Sequence, residues 1–286
     1  MKNSLTGLCS VAALLLAGSA NAAVSWNFTN GAFTPSGVYD GVSATGGNYA
    51  ANGGTSVTGL ANTDGNDVAP SQVAPDLQTI AAATVTAQGT SGFGITNADA
   101  CASPAPVGSN CDVGDGTSPE HAVDNNGRYE MALMSFQSAV KLTKVTIGWA
   151  AIDSDITVLA YVGAGAPVFS GKTWGNLATD TAWVKVGSYA DLSTNISGNA
   201  GGTANINAGG TFSSYWLIGA DNSLANPTGT HDAVNDYVKL ASVTGCVSGT
   251  ANCTQSGGRV PEPGSLALFG LALAGVAAVR RRKQAH

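Results

Sequence analysis

Residues 128–149 read RYEMALMSFQSAVKLTKVTIGW, and the fold class turns on how their apolar side chains alternate. Arg128 to Phe136 reads as a strand. Further on, Val140 and Leu142 share one parity, while Val145, Ile147 and Trp149 share the other. Successive side chains of a strand point to opposite faces, so a period of two marks a surface with one side buried. The change of phase at Thr143-Lys144 predicts a bulge or kink, because one extra residue flips every later side chain.

The pattern continues outward. Asp155 to Val162 alternates through Ile156, Val158, Ala160 and Val162, and Val24, Trp26 and Phe28 alternate with Ser25, Asn27 and Thr29. Trp183–Tyr189, Ser214–Ala220, Asp236–Val243 and the glycine-broken Gly92–Ile95 add further strands. Asp76 to Gln88 is Ala-rich enough for a helix, but Ala83-Thr84-Val85-Thr86-Ala87 alternates and is read as a strand. Gly31–Asp67 reads as loop with one weak strand near Tyr49, Asn97–Asn126 as a polar insertion, and Asn199–Gly210 as a Gly/Asn/Ala loop. About eight to ten short strands separated by turn residues, with no amphipathic helix, predict an all-β antiparallel sandwich of jelly-roll-like topology.

Composition supports this. The 286 residues include 38 Gly and are 10% charged and 44% hydrophobic. Few Lys, Arg and Glu argue against a helical bundle, whose exposed faces carry them. Low charge without low hydrophobicity argues against disorder. Twelve basic residues against eighteen acidic argue against a nucleic-acid partner.

Both ends read as addresses. Lys2, the apolar Val11–Ala17 run and the small residues up to Ala22 form the pattern of a signal peptide at 1–22, cleaved after Ala22. At the other end Val260-Pro261-Glu262-Pro263-Gly264 precedes an apolar run, Ser265–Val279, and then Arg280, Arg281, Arg282 and Lys283. Fifteen helical residues would cover about 22 Å, short of the roughly 30 Å hydrocarbon core. The basic cluster would stay cytoplasmic and leave the bulk of the chain outside. The expected organisation is a signal peptide (1–22), a β-sandwich ectodomain (23–243), a disulfide-bearing linker (244–259) and a C-terminal segment with a short transmembrane helix (260–283).

This C-terminal segment resembles the PEP-CTERM sorting signal of Gram-negative bacteria. The resemblance implies export by the Sec machinery, transient residence in the inner membrane, recognition by an exosortase and cleavage near Pro261-Glu262-Pro263. A second likeness rests on Asp124–Glu130, Phe136, Val145–Trp149, Asp153–Val158, Tyr215–Ala220 and Asp236–Leu240. That succession resembles a family of exosortase-dependent surface proteins; it implies surface display and no particular chemistry. Removing the addresses takes five of twelve basic residues and one of eighteen acids, leaving seven against seventeen, a net charge of −10. Such a surface resists anionic polymers unless divalent cations bridge them.

Export places the four remaining cysteines in an oxidising space. Three pairings are open. The local one, Cys101–Cys111 with Cys246–Cys253, is favoured because each pair closes a short loop. The spacings do not suit a zinc site.

Chemistry is sparse. There is no G-x-S-x-G and no H-E-x-x-H, and His121 and His231 are the histidines of the ectodomain. His231-Asp232 adjacency does not make a triad, since neighbouring side chains on extended chain point apart. Asp153 and Asp155, two apart, would face one side of a strand; that suits turn chemistry or a cation, and less well a glycosidase pair. Asp112, Asp115, Glu120, Asp124, Asn125, Asn126 and Glu130 form an oxygen-rich stretch. Calcium takes about six to eight such oxygens, so Asp124, Asn125, Glu130, Asp153 and Asp155 are candidate ligands of a structural Ca²⁺. Solvated loop and turn residues are the alternative. Trp149 and Trp216 sit in apolar strands and are expected in the core, while Trp174, in Gly171–Gly175, is the candidate for stacking on a sugar. The expected function is non-enzymatic: a structural or adhesive surface or matrix protein in an exopolysaccharide-rich layer. The rivals are a Ca-dependent carbohydrate-binding module and, more remotely, a glycoside hydrolase.

Overall fold

The structure, a computed structural model, describes residues 23–29, 42–43, 55–63, 77–101, 111–115, 118–193, 201–250 and 253. The expected signal peptide, the weak strand near Tyr49, residues 254–259 of the linker and the whole 260–283 segment lie outside the described residues. No helix among the described residues is long and apolar enough to cross a membrane. In chain order the strands are β1 (Val24–Asn27), β2 (Val42–Ser43), β3 (Thr55–Asn62), β4 (Ile80–Ala87), β5 (Phe93–Thr96), β6 (Ala100–Cys101) and β7 (Asp112–Val113). Then come β8 (Val123–Asp124), β9 (Glu130–Ile152), β10 (Ile156–Tyr161), helix α1 (Trp174–Thr179), β11 (Trp183–Tyr189), β12 (Gly202–Asn205), β13 (Ser213–Ala220) and β14 (Asp236–Val247).

The 128–149 stretch becomes the 23-residue β9, on which the other strands are hung. The side chains it sends into the main core are Ala132, Met134, Phe136, Val140 and Leu142, then Val145 and Ile147, then Ala150. The phase therefore changes at Thr143, as expected: Leu142 faces Gly245 and Lys144 faces Thr244, so Thr143 has no opposite number. A second slip, unforeseen, skips Gly148 between Ile147 and Trp149.

Each edge of β9 is shared by two strands. On one edge β3 pairs with Glu130–Phe136 and β14 with Val140–Ile152; on the other, β13 pairs along Met131–Val140 and β12 with Lys144–Ile147. Strands β3, β4, β5 and β14 then complete a hydrogen-bonded circuit back to β9. The class is thus all-β and antiparallel, in one continuous twelve-stranded sheet instead of two separate ones. Bulges bend β9 far enough to serve both halves. The small β6–β7 pair is parallel and stands apart.

The inward face of this sheet encloses the main core, with Trp26, Phe93, Met134, Ile147, Trp216 and Leu240 among its members. A second cluster lies on the other face of β9, β10 and β13, where Met131, Leu133, Leu159 and Leu217 pack under Trp174 and Leu177 of α1. Strands buried on both faces lose the in–out alternation; Glu130–Met134 and Ile156–Ala160 are buried throughout, apolar but for Glu130 and Thr157.

Two stretches read as loop, and the segment around Trp174, form ordered elements. β3 lies within Gly31–Asp67, and Gly59 at its centre has a reason: a Cβ there would come within 2.8 Å of the Ala83 carbonyl oxygen. β12 lies within Asn199–Gly210. α1 starts at Thr173, whose Oγ1 accepts from Asn176 N while Asn176 Oδ1 accepts from Thr173 N, a reciprocal capping box. Both local disulfides, Cys101–Cys111 and Cys246–Cys253, are present.

Candidate functional site

The carboxylates gather where several strands begin or end. Asp153 follows β9, Asp155 precedes β10, Asp221 follows β13 and Asp236 opens β14. Ile156 pairs with Ala220, Met131 with Gly219 and Asp236 with Ile152, so the bend of β9 carries both its ends to one end of the molecule. The single oxygen-rich site expected from the sequence separates there into two clusters.

The first holds Asp124 and Glu130 with Asp112 and Asp115, all buried. Asn97 knits them: its Nδ2 donates to Asp112 Oδ2 (2.7 Å) and Glu130 Oε1 (3.3 Å), and its backbone N donates to Asp115 Oδ2 (2.7 Å). Asp124 N donates to Glu130 Oε2, and Arg128 pairs with the neighbouring Asp99 at 2.8 Å. Burial pushes the Asp112 carboxyl up to about 6. It lifts Asp124 and Glu130 well above the usual carboxylate range, with mutual repulsion adding to it. An amide therefore stands between Asp112 and Glu130, and each of the four carboxylates accepts at least one hydrogen bond from a protein donor.

The second holds Asp153, Asp155 and Asp236, each with a carboxylate oxygen within 4.8 Å of the others. Asp236 Oδ1 accepts from Asp155 N (2.6 Å), and Asp155 Oδ1 accepts from Asp191 N (2.7 Å). Burial raises Asp236 to about 8 and Asp155 to about 6, and neighbouring carboxylates push the same way. Asp153 is also raised, by burial first and then by Asp232 and Asp191. A hard cation with oxygen bonds of about 2.3–2.6 Å spans oxygens up to about 5 Å apart, so this trio has the chemistry and spacing for Ca²⁺. The structure thus brings Asp153 and Asp155 together, adds Asp236, and leaves Asp124 and Glu130 in the other cluster.

The structure places Asn125 against Asp236 as a bracket. Its Oδ1 accepts from Asp236 N (2.8 Å), and its Nδ2 donates to Asp236 Oδ2 (2.8 Å) and the Asp221 carbonyl (3.0 Å). Asp236 escaped the sequence reading because it lies 81 positions from Asp155, and only the fold unites them.

Trp174 is also corrected. It is fully buried, and its Nε1 donates to Asn62 Oδ1 (3.2 Å) and the Tyr129 carbonyl (3.1 Å), so it has no face to offer a sugar. Trp216 is in the core as expected, whereas Trp149 is half-buried with the Lys239 ammonium 4.3 Å over its ring. His231 is partnered, its Nδ1 facing Asp221 Oδ2 and its Nε2 facing the Asn226 carbonyl, each at 2.6 Å. The nitrogen that would serve a nucleophile in a triad is thus occupied by a backbone oxygen.

No curated protein and no solved structure matches the chain. A family model does match at the C-terminus, at residues 259–283, and its description is the PEP-CTERM protein-sorting motif. Pro261, Glu262, Pro263 and the basic Arg280–Lys283 fall inside that match. The chain therefore carries a PEP-CTERM protein-sorting motif, and that motif implies an exosortase-targeted, exported surface protein.

Proposed function

We propose that this chain is a non-enzymatic surface protein with a structural or adhesive role in a polysaccharide-rich layer outside a Gram-negative cell. Sec export and removal of residues 1–22 deliver it to the inner membrane, and an exosortase releases the β domain from its apolar C-terminal segment. The observation that carries this reading is the sorting motif at residues 259–283. The local disulfides, which suit an oxidising compartment, support it. The test is the intact mass of the protein recovered from the cell surface and medium. The expected mass lacks residues 1–22 and everything beyond about Pro261. A mass retaining Ser265–His286 would withdraw the sorting step and the matrix role with it.

A second reading concerns the acidic end. We infer that Asp153, Asp155 and Asp236 hold a structural Ca²⁺, supported by their shared 4.8 Å span and by the rise in their pKa values. The ion would neutralise charges that burial otherwise disfavours. Calcium is expected to raise the melting temperature over EDTA, and Asp236→Asn to abolish that rise. An equal Ca²⁺-dependent rise in Asp236→Asn would place the effect elsewhere.

A further inference from the structure

At the far end of β10 from Asp155 lies a cavity of about 340 Å³. Its walls include Tyr161, Tyr215, Phe212, Ser214, Val162 and Gly163. The three aromatic rings are half-buried, so each keeps part of its surface toward solvent. No lining residue carries a charge. The volume sits at the lower end of the roughly 300–1,000 Å³ usual for small-molecule sites.

The two tyrosines are held in place before any ligand arrives. Ser213 Oγ donates to the Tyr161 carbonyl (2.5 Å) and accepts from Tyr215 N (2.9 Å), tying the strands beneath the rings. The Tyr161 ring packs on Trp183 at 5.0 Å between centroids and meets Tyr215 edge-on at 6.2 Å. The loop after β10 lies against the Tyr161 phenol: a Cβ on Gly163 would come within 2.5 Å of Tyr161 Oη. Gly165, at φ 72°, turns the loop around the opening. Ordered aromatic rings cost little conformational entropy when they bind.

We propose that this cavity binds a pyranose unit of a polysaccharide. The C–H faces of a sugar ring carry partial positive charge and meet the negative faces of aromatic rings. Its hydroxyls need donors and acceptors at the rim, which the phenols, Ser214 and the loop backbone supply. A purely apolar ligand would leave those polar groups unmatched, and a cationic one finds no countercharge in the lining, whereas the Lys141 ammonium, 5.7 Å from the Phe212 ring centroid, is compatible with a neutral or an acidic sugar. Six strand residues at about 3.3 Å each separate Tyr161 from Asp155, roughly 20 Å. A cation at the acidic end therefore does not touch the sugar, and binding is independent of calcium while the protein stays folded. The site moves the sugar-stacking role from Trp174 to Tyr161, Tyr215 and Phe212. It rests on the display reading only in that a polysaccharide layer is where such a ligand is met.

The test uses the full chain in a non-glycoside detergent, so it does not depend on processing. The probes are cellotetraose, maltotetraose, tetragalacturonate and polysaccharide washed from the producing cells, with binding followed by titration calorimetry. At least one probe is expected to bind, with tenfold or greater weakening in Tyr215→Ala. Ala139→Trp, which fills the cavity from β9 without deleting any packing, is expected to abolish binding at an unchanged melting temperature. Binding that survives both substitutions, or no binding of any probe at millimolar concentration, overturns the proposal. The mass measurement above can succeed or fail independently of this one.

Discussion

Trp174 shows how a single side chain changes meaning with its surroundings. Glycine and lysine neighbours make it look exposed, yet its indole caps the second core cluster and donates to Asn62 and Tyr129. Trp174→Ala is therefore expected to cost about 3–5 kcal/mol of stability, as large buried-to-small substitutions do. Denaturant unfolding measures this, and sugar binding per folded molecule should be unchanged. Glycines divide in the same way. Gly92 has φ 105°, and a Cβ there would meet the Leu240 carbonyl oxygen at 2.0 Å. Gly89 has φ 60° with nothing within 4 Å of the same atom. Gly89→Ala is expected to cost only about 1–2 kcal/mol, the price of a left-handed backbone. Gly92→Ala should cost more, because β5 and β14 would have to separate; paired urea titrations give the comparison.

At the scale of elements, β9 was readable because alternation survives even in a bulged strand, and Thr143 marks the bulge where the parity changes. β3 was not readable. Its apolar side chains are few, its two faces are both enclosed, and Gly59 interrupts the run where β4 comes close. Helix α1 was missed for a related reason. It is six residues long, and its capping box uses Asn176 where Glu or Gln is the familiar signal. Its stability comes from Trp174 and Leu177 packing on the sheet, since so short a helix has little of its own.

Among the described residues most of the buried carboxylates gather at one end of the molecule, and this has a consequence for pH. Asp112 and Asp155 sit at about 6 and Asp236 at about 8, while the same groups in the unfolded chain stay near the ordinary 3.8. Between these values the folded state binds more protons than the unfolded one. Stability must then fall as pH rises through that window. In EDTA the melting temperature is expected to decline from pH 5 to pH 8. Calcium favours the ionised trio, so it should flatten that slope and stabilise most at pH 8. A chelated protein that grows more stable toward pH 8 would contradict this assignment of the buried carboxyls.

Three things were legible in the chain alone: the all-β class, from a period of two; the local disulfides, from short loops; and the sorting segment, from contiguous residues. Each is a local property, written within a few residues of itself. Asp153 and Asp155 were visible as a pair for the same reason. The tertiary structure alone decided that Asp236 joins them, that Asn97 separates Asp112 from Glu130, and that Tyr161, Phe212 and Tyr215 share a cavity. Those groupings depend on which strands lie side by side. Pairing is set by the fit of buried faces over long separations, and no pattern confined to one segment carries it.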